Sequence, residues 1–243
     1  DHFSTQAATY AAARPSYPDA LFDFLASQAP GKEIALDVAT GNGQAAKGLA
    51  KHFAQVIACD ASQAQIDNAE PVANVTYHCA PADALPAQDS SIELVTVAQA
   101  LHWFPLDAFY AEVRRVLKPG GLIAAISYGL HQFDDPTINQ AIHHLYEEVL
   151  GAYWPPERHH VEQGYRTLPF PFERIETPDF AMHAQWTLDS LAGYFNSWSA
   201  TQRYIKQHGD NPVPKAITAI AEHWGAADRV RQSRFPLTIN LGR

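Results

Sequence analysis

Three carboxylates and one pair of glycines sit where they could hold a small charged ligand. Asp37 lies in Asp37-Val38-Ala39-Thr40-Gly41-Asn42-Gly43, between an apolar run and an Ala/Lys/Leu-rich stretch. Glycines at such a turn let backbone approach a ligand closely, and the helix that follows offers free N–H groups. Asp60 closes the next apolar run, where a carboxylate could accept from ribose hydroxyls. Asp83 follows the third such run, in Ala80-Pro81-Ala82-Asp83-Ala84-Leu85-Pro86, within reach of an adenine amino group. Any one of these acids is most simply a turn or cap residue. Three of them, each at the end of a successive strand, point to a nucleoside ligand.

Two cofactors fit. Gly41-Asn42-Gly43-Gln44-Ala45-Ala46 satisfies the dinucleotide pattern with Ala in the last place, which alone is weak support for NAD(P). Asp37, just before the turn, would repel a pyrophosphate, whereas S-adenosylmethionine (SAM) brings an ammonium and a sulfonium. His102 follows the fourth apolar run, where an acceptor would enter, and is the candidate general base. It reads more simply as a histidine packed in a loop, with Trp103 beside it as core.

These residues need a scaffold, and the pattern supplies one. Ile34–Val38, Val56–Cys59, Val75–Cys79, Ile92–Ala98 and Leu122–Ser127 read as strands. The helices between them are Gln44–Phe53, a stretch from a Ser62 cap to about Glu70, and Leu106–Leu117, which Lys118-Pro119-Gly120-Gly121 would stop. Such alternation indicates a parallel sheet with right-handed crossovers. Beyond it, Thr137–Leu150, Leu188–His208 (broken near Ser199) and Lys215–Trp224 read as helices. Phe180–Trp186 and Phe235–Leu241 read as late strands. The expected organisation is a single α/β domain over 1–243. Residues 1–128 form its cofactor-binding core, 129–230 a helical cap inserted between late strands, and 231–243 a final strand returning to the sheet.

Taken together, these motifs resemble class I SAM-dependent methyltransferases of the type-11 group, close to trans-aconitate methyltransferases. The matching segments are Ala35–Gly43, Cys59–Ser62, Ala82–Pro86, Ala98-Gln99-Ala100-Leu101-His102-Trp103-Phe104 and Arg114–Gly121, with Phe3…Tyr10…Arg14–Pro18 before them. The resemblance implies a Rossmann-like seven-stranded sheet whose last strand is antiparallel. It implies that Asp37 and the Ala39, Thr40, Gly41, Asn42 and Gly43 backbone surround the methionine part of SAM. Asp60 would bind the ribose with Ala61 beside it, and Asp83 with the Ala82 backbone would read adenine. The Ala98 carbonyl and Gln99 would meet the ammonium, while Tyr10 and Arg14 would lie over the cofactor, Arg14 pairing its carboxylate. Two departures stand out: the family's first loop glycine is Ala39, giving a less open loop, and its Asp at the start of the fourth strand is Glu93.

Composition narrows the partners. Seventeen basic against 26 acidic residues leave a net charge of −9, which excludes a nucleic-acid face. No apolar run approaches the ~18 residues of a membrane span. Two cysteines, Cys59 and Cys79, make no disulfide framework and read as small buried hydrophobes of a reduced, cytoplasmic protein. His143-His144 and His159-His160 recur at no ligand spacing, so no metal is expected.

The acceptor is expected to be a small molecule. A carboxylate acceptor needs no base, only cations such as Arg158 and Arg166; a hydroxyl or amine needs a base. Residues 129–243 hold four of the five Trp and eight of the twelve His. There Tyr153, Trp154, Tyr165 and Trp198, with Trp103 from the first half, could line the acceptor pocket, build the cap's own core, or do both. The rival readings are a nicotinamide-dependent oxidoreductase, a non-catalytic SAM-binding protein and an enzyme acting on a protein side chain. Oligomeric state is not legible.

Overall fold

The computed structural model describes residues 15–243. The expectations for Tyr10 and Arg14 therefore lie outside the described residues. The first half of the chain runs α1 (Asp19–Gln28), β1 (Ile34–Val38), α2 (Gln44–Leu49), β2 (Gln55–Asp60), α3 (Gln63–Asp67), β3 (Val75–Cys79), β4 (Ile92–Ala98), α4 (Leu106–Val116) and β5 (Leu117–Tyr128). The second half runs α5 (Pro136–His143), α6 (Arg158–Glu162), β6 (Arg174–Ile175), β7 (Ala181–Trp186), α7 (Leu188–Asn196), α8 (Ser199–His208), α9 (Val213–Trp224) and β8 (Arg231–Gly242).

The strands form one eight-stranded sheet in the order β3-β2-β1-β4-β5-β8-β6, with β7 paired to β8. β1 through β5 pair in parallel, and β8 runs antiparallel to β5 from Ile123↔Gly242 to Tyr128↔Leu237. Strands covered on both faces must be apolar almost throughout, which is why β1, β4 and residues 122–126 of β5 are Val/Ile/Leu/Ala apart from Asp37, Glu93 and Thr96. Period-two alternation sends Leu36, Val95, Val97, Ile123 and Ala125 to one face, with Phe109, Tyr110 and Val113 of α4. Ala35, Leu94, Leu122, Ala124 and Ile126 go to the other, with Leu21, Phe22 and Leu25 of α1.

Several boundaries differ from the sequence reading. β5 begins at Leu117 and contains Lys118–Gly121. Gly120 takes φ 77°, and the β4–β5 register shifts between Ile92 and Leu94, so the chain pairs on both sides of a bulge. Ser62 sits at the start of α3, but its side chain makes no capping bond and the helix stops at Asp67. Cys59 is buried as expected; Cys79 is exposed, because β3 is the sheet's outer strand and only partly covered.

The described chain divides into two compact units: a sheet unit of residues 17–129, 159–181 and 236–243, and a helical unit of 15–16, 130–158 and 182–235. Residues 159–181, which the sequence reading grouped with the cap, thus lie in the sheet unit. In the helical unit, Asp135 caps α5 through Thr137 N and Ile138 N, and Thr187 with Ser190 forms a capping box on α7. Trp186, Trp224, Phe195 and Phe235 are the largest side chains of its core. No helix of the described residues is long and apolar enough to cross a membrane.

Candidate active site

The glycine loop is tied from beneath by Asp37. This side chain is 1% exposed and accepts from Thr40 Oγ1 and from Thr96 Oγ1 on β4, each at 2.6 Å. The Ala46 backbone N–H also lowers its pKa, so one carboxylate joins β1, the loop, α2 and β4. Burial dominates nonetheless and pushes the Asp37 carboxyl up to about 6. Asp60 holds the loop from the β2 side: its Oδ2 accepts from Gly41 N at 3.0 Å and its Oδ1 from Ser62 N at 2.9 Å. Gly43 has φ 86°, and a Cβ there would lie 2.5 Å from Tyr77 Oη, so another residue would be strained and would displace that side chain. Ala39 adopts φ 54°: the backbone keeps the left-handed turn that glycine would take more easily. Asn42 and Ala61 are exposed, Ala82 is half-buried and Asp83 is exposed.

At the end of β4 the backbone turns through Gln99, also left-handed at φ 59°. Gln99 N donates to Ile126 O and its Nε2 to Tyr128 O, which orients the amide. Its Oε1 is buried and has no partner among the described residues. An acceptor oxygen left in this state costs about 1–3 kcal/mol unless a donor meets it. A ligand ammonium is such a donor, so this end of the sheet fits the cationic part of SAM. The short turn Leu101–Trp103 follows and carries His102, whose Nδ1 lies 3.2 Å from Tyr165 Oη. Trp103 is 56% exposed and is not core: the turn directs it outward while Leu101 fills the interior.

Two ion-paired groups that the sequence reading did not single out as such hold this frame. Glu93 is buried at the base of β4, accepts from Ile34 N at 2.7 Å and pairs with Lys118, joining β1, β4 and β5. The longer stem in place of the family's Asp is used for this structural bond. Arg115 pairs with Glu112 and Asp89 and donates to the Leu85 and Ala87 carbonyls, while Glu112 accepts from Leu85 N. Together they fasten the loop that carries Asp83. Apart from the i,i+3 pair Glu112–Arg115, their partners lie 25–59 residues apart in the chain, so no local motif announces either group.

The residues expected around the acceptor divide between the two units. Trp103 and Tyr165 belong to the sheet unit; Tyr153, Trp154, Arg158 and Trp198 belong to the helical unit. Within the latter, Arg158 Nε donates to Tyr146 Oη at 2.9 Å, and the guanidinium lies 5.3 Å from the Trp154 ring and 5.9 Å from that of Tyr146. Trp198 packs against both rings and is 8% exposed. Tyr153 instead faces Tyr204 and His208. Arg166 is exposed.

Comparison with known proteins gives the family. A family profile described as a methyltransferase domain matches residues 36–125. A Dictyostelium discoideum protein that carries a methyltransferase name is 33% identical over 249 residues, covering 100% of this chain and 95% of its own. A Saccharomyces cerevisiae protein named for SAM-dependent methyl transfer is 26% identical over 250 residues, covering 88% of this chain and 85% of its own. A solved Anaeromyxobacter dehalogenans structure, described as a type II methyltransferase, superposes with a TM-score of 0.90 at 42% identity. It covers 95% of this chain and 97% of that one.

Proposed function

The chain belongs to the class I SAM-dependent methyltransferases, and we propose that it binds SAM at the loop of residues 39–43 and transfers its methyl group to an O or N of a small-molecule acceptor. The observation that carries this reading is the buried Gln99 Oε1, unpartnered among the described residues, beside a loop already tied by Asp37 and Asp60. The bound sulfonium supplies an activated methyl, open to in-line attack with S-adenosylhomocysteine as product. Gln99 Oε1 and the Ala98 carbonyl accept from the ammonium. Asp60 offers its remaining lone pairs to the ribose hydroxyls while it keeps the loop in place, and Asp83 and the Ala82 backbone face adenine. Asp37 acts on the cofactor through the loop, because its oxygens are engaged by Thr40 and Thr96.

His102 accepts the proton that a hydroxyl or amine acceptor must lose. Arg158 supports a second reading, in which the acceptor is a carboxylate. Its guanidinium is half-buried and stacked on aromatic rings, and it pairs with no carboxylate among the described residues of a chain whose net charge is −9.

Calorimetry with SAM, S-adenosylhomocysteine and NADH tests the cofactor, with micromolar binding of the first two expected. NADH binding in their place would return the chain to the oxidoreductase reading. A SAM-consumption screen over small acids, phenols and amines then separates the acceptor classes. Turnover confined to acids would retire His102 as base, and turnover confined to phenols or amines would retire the carboxylate reading.

A further inference from the structure

Tyr165 reaches His102 at a visible conformational cost. It is a buried non-glycine residue at φ 61°, and Gly164 before it is also left-handed, at φ 58°. Left-handed backbone is unfavourable for an L-residue, so something must hold the pair there. A Cβ on Gly164 would lie 2.7 Å from Thr238 Cγ2, so only glycine lets the loop sit this close to β8. The Gly164 carbonyl accepts from Asn240 Nδ2 at 3.1 Å, and Asn240 is itself held by Arg174. Tyr165 N donates to His160 O at 2.8 Å. The second half of β8 thus fixes a strained two-residue turn whose second side chain meets the imidazole at the end of β4.

We propose that Tyr165 is the positioning residue for His102: its Oη accepts from His102 Nδ1–H and thereby assigns acceptor-proton chemistry to Nε2. This rests on the reading of His102 as base. A neutral imidazole carries one proton, and the nitrogen that takes the acceptor's proton must be the other one. Free imidazole side chains favour the proton on Nε2, so the Nδ1–H form needs a fixed acceptor. Tyr165 Oη at 3.2 Å, on a side chain locked by burial and backbone, is such an acceptor. The ring centroids lie 5.8 Å apart at 34°, so the hydroxyl contact is accompanied by ring packing that limits rotation of the imidazole.

The test uses the full chain, labelled with ¹⁵N-histidine and saturated with S-adenosylhomocysteine. Long-range ¹H–¹⁵N spectra report which nitrogen of His102 is protonated, with His102→Gln used to assign the signals. The expected result is the Nδ1–H form in the wild type and a shift towards Nε2–H in Tyr165→Phe, which removes only the hydroxyl. An Nε2–H signal in the wild type, or no change in Tyr165→Phe, overturns the proposal. With the best protic acceptor from the screen, Tyr165→Phe should lower kcat about tenfold, with KM and the S-adenosylhomocysteine Kd within about twofold. A loss confined to KM would mark Tyr165 as a substrate contact instead. Failure of the base reading looks different: His102→Gln would then turn over protic acceptors at the wild-type rate whatever the tautomer.

Discussion

Burial raises the Asp37 carboxyl to about 6, and the Thr40 and Thr96 hydroxyls pull it back only in part. Because the folded chain holds this proton more tightly than the unfolded chain does, stability falls by about 2 kcal/mol as pH rises from about 4 to 6 and then levels off. Asp37→Asn should remove that slope. The stability difference between wild type and variant, measured by urea unfolding at pH 4, 5, 6 and 7, is expected to move steadily against the wild type. A constant difference would show that the carboxyl titrates normally. Ala39 is the other residue whose chemistry conflicts with its place. Ala39→Gly relieves the left-handed strain of about 1–2 kcal/mol and gives back about 0.5–1 in unfolded-chain entropy. The variant should therefore melt slightly higher than wild type; a lower Tm would mean that the Ala39 methyl packs usefully.

Packing within the helical unit creates a second titration, of opposite sign. His131 lies 1% exposed among Phe133, Trp186, Tyr194, Phe195 and Phe235, and neither ring nitrogen has a partner among the described residues. Burial drives its pKa down to about 3. The unfolded chain takes up a proton below about pH 6.5 that the folded chain refuses, so stability is lost as pH falls, about 2 kcal/mol by pH 5. In His131→Phe that contribution is absent, so the stability difference between wild type and variant, followed by tryptophan fluorescence, should move about 2 kcal/mol against the wild type from pH 7 to 5. Equal losses in both proteins would place the acid sensitivity elsewhere. The Asp37 and His131 effects partly cancel in the wild type, so only the single variants separate them. Elements also limited what local pattern could reveal. The β1 loop was legible because its residues are consecutive. The Asp37–Thr96 bond and the Arg115 clamp were not, since each joins segments that only the parallel crossovers bring together.

At the scale of the whole molecule, a ligand that binds only the folded chain must stabilise it by mass action. S-adenosylhomocysteine at about 100 times its Kd should contribute about 2.7 kcal/mol, visible as a rise in Tm, while NADH at the same concentration should contribute nothing. No shift with S-adenosylhomocysteine would count against cofactor binding, whatever the fold. The sequence alone determined the α/β class, the strand–loop–helix glycine motif and the acids at the end of β2 and just after β3. All of these rest on short-range rules: largely apolar runs for covered strands, glycine for tight turns, and a carboxylate where a strand stops. Tertiary structure decided what those residues do. It turned the Asp37 carboxylate inward, left Gln99 Oε1 without a partner among the described residues, exposed Trp103, moved residues 159–181 into the sheet unit and set Tyr165 against His102. Each of these depends on which distant segments share a neighbourhood. The free energy of burying a charge or a ring is a property of that neighbourhood and not of adjacent residues.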